Sequence, residues 1–323
     1  MKKFVTLALL LLLLASCKYK DLCYDHDHWP DYNLILELDL KLELDVDLDV
    51  SDAAHTKINE PTYMVVQFYD ILSGALCETE IVGPHGGSMY VVPGTYNMVV
   101  YAFDTEWTQI RGEHNVSTLE AFTSDITATK SQLWDYFRTS STHNAEADRI
   151  IYTPDHLLVA QQIVEIPPFS IDQPVITVED TAVTIVETYG FEVPNITGIE
   201  YVSSVEAFVT NQAASNFFGR GEKNTEPATV SFPLEVDWAE GKLKTTFNTF
   251  GKLPGESEAF LNIVIIDTQG KPYTVIEDIT DQFNNPEHVI IINDSIDIPA
   301  PASGGIAPVV EEWEEVIHDV PIG

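Results

Sequence analysis

Residues 36–50 constrain the fold of this chain more than any other stretch. Every even position is apolar: Leu36, Leu38, Leu40, Leu42, Leu44, Val46, Leu48 and Val50. The odd positions are Glu37, Asp39, Lys41, Glu43, Asp45, Asp47 and Asp49. A period of two puts each set on its own face of a strand, whereas a helix would scatter the leucines around its circumference. The pattern predicts one long half-buried strand with outward charges about 7 Å apart. Like charges at that spacing discourage a second chain from pairing, which suits a strand at a sheet edge.

Other runs rich in β-branched and aromatic residues predict strands at 63–69, 96–103 and 157–166. More follow at 175–178, 182–188, 204–210, 228–234, 242–247, 260–267, 273–276 and 289–292. Gly83-Pro84-His85-Gly86-Gly87 and Pro93-Gly94 punctuate the first group as turns, and Gln269-Gly270 reads as a hairpin turn. Residues 118–122, 132–137 and 278–283 read as helical turns. No long amphipathic helices separate the strands, so a βαβ arrangement fails and an all-β chain of β-sandwiches is expected. Pro167, Pro168 and Pro174 interrupt the pattern and mark the expected domain boundary. The predicted layout is a signal peptide at 1–16, a tether at 17–32, an N-terminal β-sandwich at 33–167 and a C-terminal β-sandwich at 174–299. Residues 300–323 follow as a linker and an acidic segment carrying Trp313.

The first residues predict where the protein sits. Lys2-Lys3 precede an apolar run over 4–14, and Leu14-Ala15-Ser16-Cys17 closes it. A basic start, a short apolar core and small residues before a cysteine make a secretory signal with a lipobox. Cys17 is the expected lipidation site and first mature residue. The apolar run is too short for a permanent spanning helix, which needs about 20 residues. Removing residues 1–16 takes away Lys2 and Lys3 and no acids, so the formal charge moves from −35 to −37. Such a surface repels phosphate backbones and offers no basic face to anionic headgroups. With 45% hydrophobic residues the chain is no disordered acidic tail. Beyond Cys17 the cysteines are Cys23 and Cys77. In an exported protein these form one disulfide or stay as two thiols, and the sequence leaves both open.

Chemistry is sparse. Asp25-His26-Asp27-His28 offers imidazoles and carboxylates, but on adjacent residues of one extended segment that cannot surround an ion. Asp45-Val46-Asp47-Leu48-Asp49 begins like a calcium loop, yet Val50 stands where glycine is needed and Thr56 where glutamate is needed. No metal site or cofactor is therefore expected. HExxH, GxSxG, Walker and GxGxxG signatures are missing, which predicts a non-enzyme. Asp180-Thr181-Ala182 and Asp294-Ser295-Ile296 resemble the O-glycosylation acceptor of Bacteroidales exported proteins, making Thr181 and Ser295 candidate acceptors. Trp29, Trp107, Trp134, Trp238 and Trp313 are candidates for stacking on sugars. They keep a carbohydrate-binding surface lipoprotein of a glycan-uptake system as the alternative function.

Several segments together resemble a known group. Lys20-Asp21-Leu22-Cys23-Tyr24-Asp25-His26 follows the lipobox. Val92-Pro93-Gly94-Thr95-Tyr96 precedes a strand, and Tyr101-Ala102-Phe103-Asp104-Thr105-Glu106 leads to Arg111-Gly112. With Asp278-Ile279-Thr280-Asp281-Gln282 and the closing tryptophan segment, this order is similar to Bacteroidales fimbrillin-like lipoproteins of uncharacterised function. The resemblance implies two tandem transthyretin-like (Greek-key) β-sandwich domains on an outer-membrane lipid tether, exposed at the cell surface. It implies a fimbrial anchor, accessory subunit or adhesin, with fimbrial subunits as partners through β-strand addition. Stalk subunits of that group lose a first strand by cleavage after an arginine, and anchors keep theirs. Here no arginine falls within or just after residues 36–50, and the next is Arg111. That favours the anchor or a stand-alone surface protein.

Overall fold

The alternating leucines settle on a core as their period demands. In the computed structural model, β1 (Tyr32–Leu40) buries Leu34, Leu36 and Leu38 and exposes Glu37 and Asp39. Leu40, Leu42 and Leu44 pack partly against the same core. The structure describes residues 32–44, 58–102, 105–126, 149–168, 175–253 and 258–300. The strand is shorter than predicted within that range, since its ladder ends at Leu40; positions 45–50 lie outside the described residues.

The expected edge position is wrong. β1 runs parallel to β10 (Val175–Thr184), from Asn33 opposite Val175 to Leu40 opposite Ala182. Its other side pairs antiparallel with β4 (Gly86–Val91). Period two reports which face of a strand is wet, and says nothing about whether its flanks are paired. The outward acids therefore line a solvated face.

The sheet order is β3 (Leu76–Val82), β2 (Met64–Asp70), β5 (Gly94–Ala102), β9 (Leu158–Ile166), β10, β1, β4. β9 and β10 share only two register pairs, Val159 with Val183 and Leu158 with Thr184. The seven strands thus part into two leaves there. Leu34 and Leu36 of one leaf join Val66, Phe68, Met98 and Val100 of the other in one buried cluster. This is a sandwich closed around an aliphatic core.

A second cluster sits between two more sheets. One is β17 (Glu235–Asp237), β18 (Lys242–Thr249), β11 (Glu187–Val193) and β21 (Val289–Ile291). The other is β20 (Pro272–Asp278), β19 (Phe260–Asp267), β13 (Val202–Ala213), β16 (Pro227–Pro233) and β8 (Arg149–Tyr152). Its core is aromatic: Phe232 stacks on Phe247 at 4.1 Å between centroids and meets Phe191 edge-on. A two-residue pair, β12 (Ile196–Thr197) with β22 (Ile296–Asp297), completes this half. The Gln269-Gly270 turn joins β19 to β20 as expected, with Gly270 at φ +79°.

The strands do not sort at residues 167–174. β10 follows that break yet pairs with β1 and β9, while β8 precedes it yet pairs with β16. Proline removes a ladder donor, so a proline cluster ends a strand without ending a sandwich. A four-stranded sheet also mixes the two stretches: β15 (Glu222–Lys223), β14 (Ser215–Phe217), β7 (Glu120–Phe122) and β6 (Gln109–Arg111). The helical turn expected at 118–122 is therefore a 3-10 turn at Val116–Thr118 followed by a strand, because β6 and β14 pair with β7 on both sides. The turn expected at 278–283 is the end of β20 and a 3-10 turn at Gln282–Asn284. Residues 132–137 lie outside the described residues. Among the described residues there is no α-helix, and no helix is long and apolar enough to cross a membrane.

Candidate functional site

The first candidate is the seat of β1 itself. Gly86 opens β4 at φ +97°, and a Cβ there would stand 2.0 Å from the Leu36 carbonyl oxygen. Only glycine allows the 83–86 turn to approach β1 so closely. The Leu38 amide then donates to the His85 carbonyl at 3.1 Å, extending the pairing past the ladder. On the opposite side the Lys41 amide donates to the Ala182 carbonyl at 3.0 Å. The groove a first strand would fill is occupied by this chain's own residues.

Beyond that turn lies an open groove lined by Glu37, Leu38, Asp39, His85, Glu179, Asp180 and Thr181. It collects the outward acids of β1 and β10. Thr181, a candidate glycosylation acceptor, is exposed here, with its amide bonded to Asp180 Oδ1 at 2.8 Å. Ser295, the other candidate, is exposed just before β22. Cys77 is exposed on β3, and its Sγ lies 3.6 Å from the Ala75 carbonyl. Cys17 and Cys23 lie outside the described residues, as do the signal segment, the 25–28 acid-histidine run and residues 301–323.

The mixed sheet holds an ion pair between a buried carboxylate, Glu120, and a half-exposed guanidinium, Arg111. Arg111 donates twice to Glu120, from Nε at 2.6 Å and from Nη2 at 2.9 Å. The Ser215 hydroxyl donates to the same carboxylate at 2.5 Å, and Asn224 Nδ2 donates to Ser215 Oγ at 2.8 Å. Burial alone would raise the Glu120 pKa. The hydrogen bonds from Arg111 and Ser215, with the Arg111 charge, outweigh it and hold the carboxyl below its ordinary value. No spacing rule revealed this pair, because its partners come from strands that only the fold brings together.

A cleft of about 310 Å³ opens where the two halves meet, lined in part by Glu60, Glu106, Asp155, His156 and Asn248. His156 sits between two threonines, with Nδ1 3.2 Å from Thr184 Oγ1 and Nε2 3.1 Å from Thr188 Oγ1. The Thr188 hydroxyl donates to Asn248 Oδ1 at 2.8 Å, so it accepts from Nε2–H, which assigns the tautomer. Burial pushes the His156 pKa down to about 4 against a smaller upward pull from Asp155. Asp155 Oδ2 accepts from the backbone amides of Trp107 and Thr108. Asn248 Nδ2 donates to the Pro154 carbonyl at 3.0 Å. The polar groups at the heart of this cleft are spent on one another, as in a structural joint. Trp107 is 46% exposed and leans on Tyr152 at 5.1 Å, and Trp238 is 59% exposed in the turn after β17. Trp29, Trp134 and Trp313 lie outside the described residues. Among the described residues no three histidine, cysteine or acidic side chains gather as a metal site.

The family described as "Domain of unknown function (DUF5119)" matches residues 16–233. The chain belongs to that family. Its matched span takes in Cys17, β1 and every strand through β16, whereas β17 to β22 and Ser295 follow it. A Bacteroides ovatus protein named as a fimbrium anchoring subunit, Fim4B, is 26% identical over 167 residues, which are 51% of this chain and 44% of that protein. The chain thus spans less than half the length of that relative. A crystal structure described as an adhesin from Bacteroides ovatus ATCC 8483 shares the fold, with a TM-score of 0.58 and 21% identity over 85% of this chain and 95% of that one. The fimbrial anchor protein Mfa2 from Porphyromonas gingivalis aligns with a TM-score of 0.44 and 10% identity, over 80% of this chain and 88% of that one.

Proposed function

We propose that this protein is a non-catalytic, lipid-anchored outer-membrane protein that serves a fimbrium as anchor or accessory subunit. The observation that carries the reading is β1, which is seated between β10 and β4 and fills the first-strand position from within the chain. A subunit whose groove is already occupied has no place there for a neighbour's strand, so polymer growth stops at it. Arg111 fits the same reading, since its guanidinium is committed to Glu120 within a paired strand. The name of the Bacteroides ovatus relative points the same way. Lipid on Cys17 supplies the hold, and two or more acyl chains make it firm where one would be reversible.

A deletion strain tests this. Fimbriae should be shed into the medium or change in length when the protein is missing. A wild-type copy should restore retention, and a Cys17→Ala copy should not. Unchanged fimbrial length and retention in the deletion strain would refute the assignment.

A further inference from the structure

The register of the first sandwich places five chain positions at one end. Tyr32 opens β1 opposite Val91, Val175 opens β10 opposite Asn33, and Asp70 closes β2 opposite Tyr96, two residues after Gly94 opens β5. Among the described residues, the 71–75 turn and Val92-Pro93 lie at this end, and apart from Ser73 their exposed side chains are apolar. Leu72 is 93% exposed and Ile71 41%; Val92 is 54% exposed, and Tyr90 beside it is 63% exposed. Tyr96 ties the two connections together, its ring edge-on to Phe68 and its hydroxyl donating to the Val92 carbonyl at 3.0 Å.

The 71–75 turn is held rigidly. Asp70 Oδ1 accepts from the amides of Leu72 at 3.2 Å and Ser73 at 2.7 Å, and from the Ser73 hydroxyl at 2.6 Å. Gly74, at φ +69°, returns its amide to the Asp70 carbonyl at 2.8 Å, and Asn115 Nδ2 donates to the Ser73 carbonyl at 3.1 Å. Such a turn would ordinarily present polar side chains to water. This one presents an isoleucine and a leucine on a fixed frame.

What faces this end follows from the chain. Residues 17–31 run from the lipid-bearing Cys17 to Tyr32, and fifteen residues reach at most about 50 Å. The tether therefore keeps this end of the sandwich near the bilayer at high effective concentration, so that even a weak apolar contact is populated. The far end carries Asp39, Glu60, His85 and Asp180 beside the scattered apolar Ile81 and Val183, and acidic groups of that kind gain nothing from lipid. Four carboxylates stand near the apolar end: Asp70, spent on the turn; Glu78, opposite Phe68 and close to Tyr96; Glu113, bonded to Gln67 and Tyr101; and Glu165, exposed on β9.

We infer that Ile71, Leu72 and Val92 form a second membrane contact, inserting into the lipid surface beside the acyl anchor and setting the first sandwich upright with its acidic end outward. The inference rests on lipidation at Cys17, as in the function proposed above. The test uses the full lipidated protein in vesicles of phosphatidylethanolamine and phosphatidylglycerol with brominated acyl chains. Leu72→Trp and, at the far end, His85→Trp are compared with the parent protein, so that native tryptophan emission is subtracted. Both positions are exposed, and neither change disturbs the core. Emission added at position 72 should be quenched by the brominated lipid, and emission added at position 85 should not. Co-flotation with vesicles but no quenching at position 72 overturns the contact and leaves the anchor standing; a blue shift there without quenching assigns the patch to a protein neighbour and overturns it too. Failure to float with vesicles removes the anchor and the contact together.

Discussion

The two buried cores are closed in different ways. The first depends on β1, a strand whose partners β4 and β10 lie far from it in sequence and whose pairing with β10 is parallel. The second is built around an aromatic stack from a hairpin, β19 with β20, and from long-range pairings in which β11 lies between antiparallel β18 and parallel β21. Each core also borrows across the proline break. Ala213, Phe218 and Phe250 enter the first, and Ile151 enters the second. The difference shows where a partner can act. β1 precedes every other described strand, so it can be removed without breaking the rest of the chain, whereas β11, the strand flanked by β18 and β21 in the second core, lies between other strands and cannot.

Leu36→Ala should give the largest stability effect. Leu36 is 1% exposed in the centre of β1, and the loss should be about 3 kcal/mol by chemical denaturation. A loss under 1 kcal/mol would mean that β1 does not seal the first core.

Next comes the joint between the cores. Glu120→Gln removes the charge that Arg111 and Ser215 share and should cost about 2 kcal/mol, less than a fully buried pair because the Arg111 side chain is half exposed. The wild-type protein should unfold in one transition and the variant in two, as followed by calorimetry. Because the folded pKa of Glu120 is depressed, its contribution is present above the ordinary carboxylate value of 4.5 and fades as pH falls through the lower folded value. A variant that keeps both the single transition and the wild-type acid response would show that the mixed sheet couples nothing.

The smallest effect belongs to the cleft. His156 is held neutral down to about pH 4, whereas unfolded histidine takes up a proton near 6.5. The unfolded state then binds more protons between those values, so stability falls as pH drops from about 6.5 to about 4. His156→Gln should cost about 1 kcal/mol at neutral pH through imperfect bonds to Thr184 and Thr188. It should also flatten the decline over that window in urea titrations. An unaltered decline would assign the acid sensitivity elsewhere.

Strand identity was legible wherever side chains alternate or β-branched residues cluster. β19 matches its predicted bounds, and β2, β5, β9 and β18 differ from theirs by a residue or two. β10 merged two predicted pieces, since Glu179, Asp180 and Thr181 break the apolar pattern yet continue the strand, with Glu179 and Thr181 on its wet face and Asp180 half-buried between them. β3 and β4 were read only as the turns around them. The candidate glycosylation acceptors proved exposed, as a short polar pattern suggests, whereas the Arg111–Glu120 pair and the His156 joint had no signal in sequence.

By itself the sequence determined the all-β class, the face of β1 that is buried and, among the described residues, the absence of long helices. Each is a local consequence of which side chains recur at which period. Only the tertiary structure decided that β1 lies inside a sheet, that the prolines turn the chain between leaves of one sandwich, and that Leu72 and Val92 share an end with Tyr32. Pairing partners, register and the meeting of distant turns are set by contacts between segments far apart in the chain, and periodicity carries no information about them.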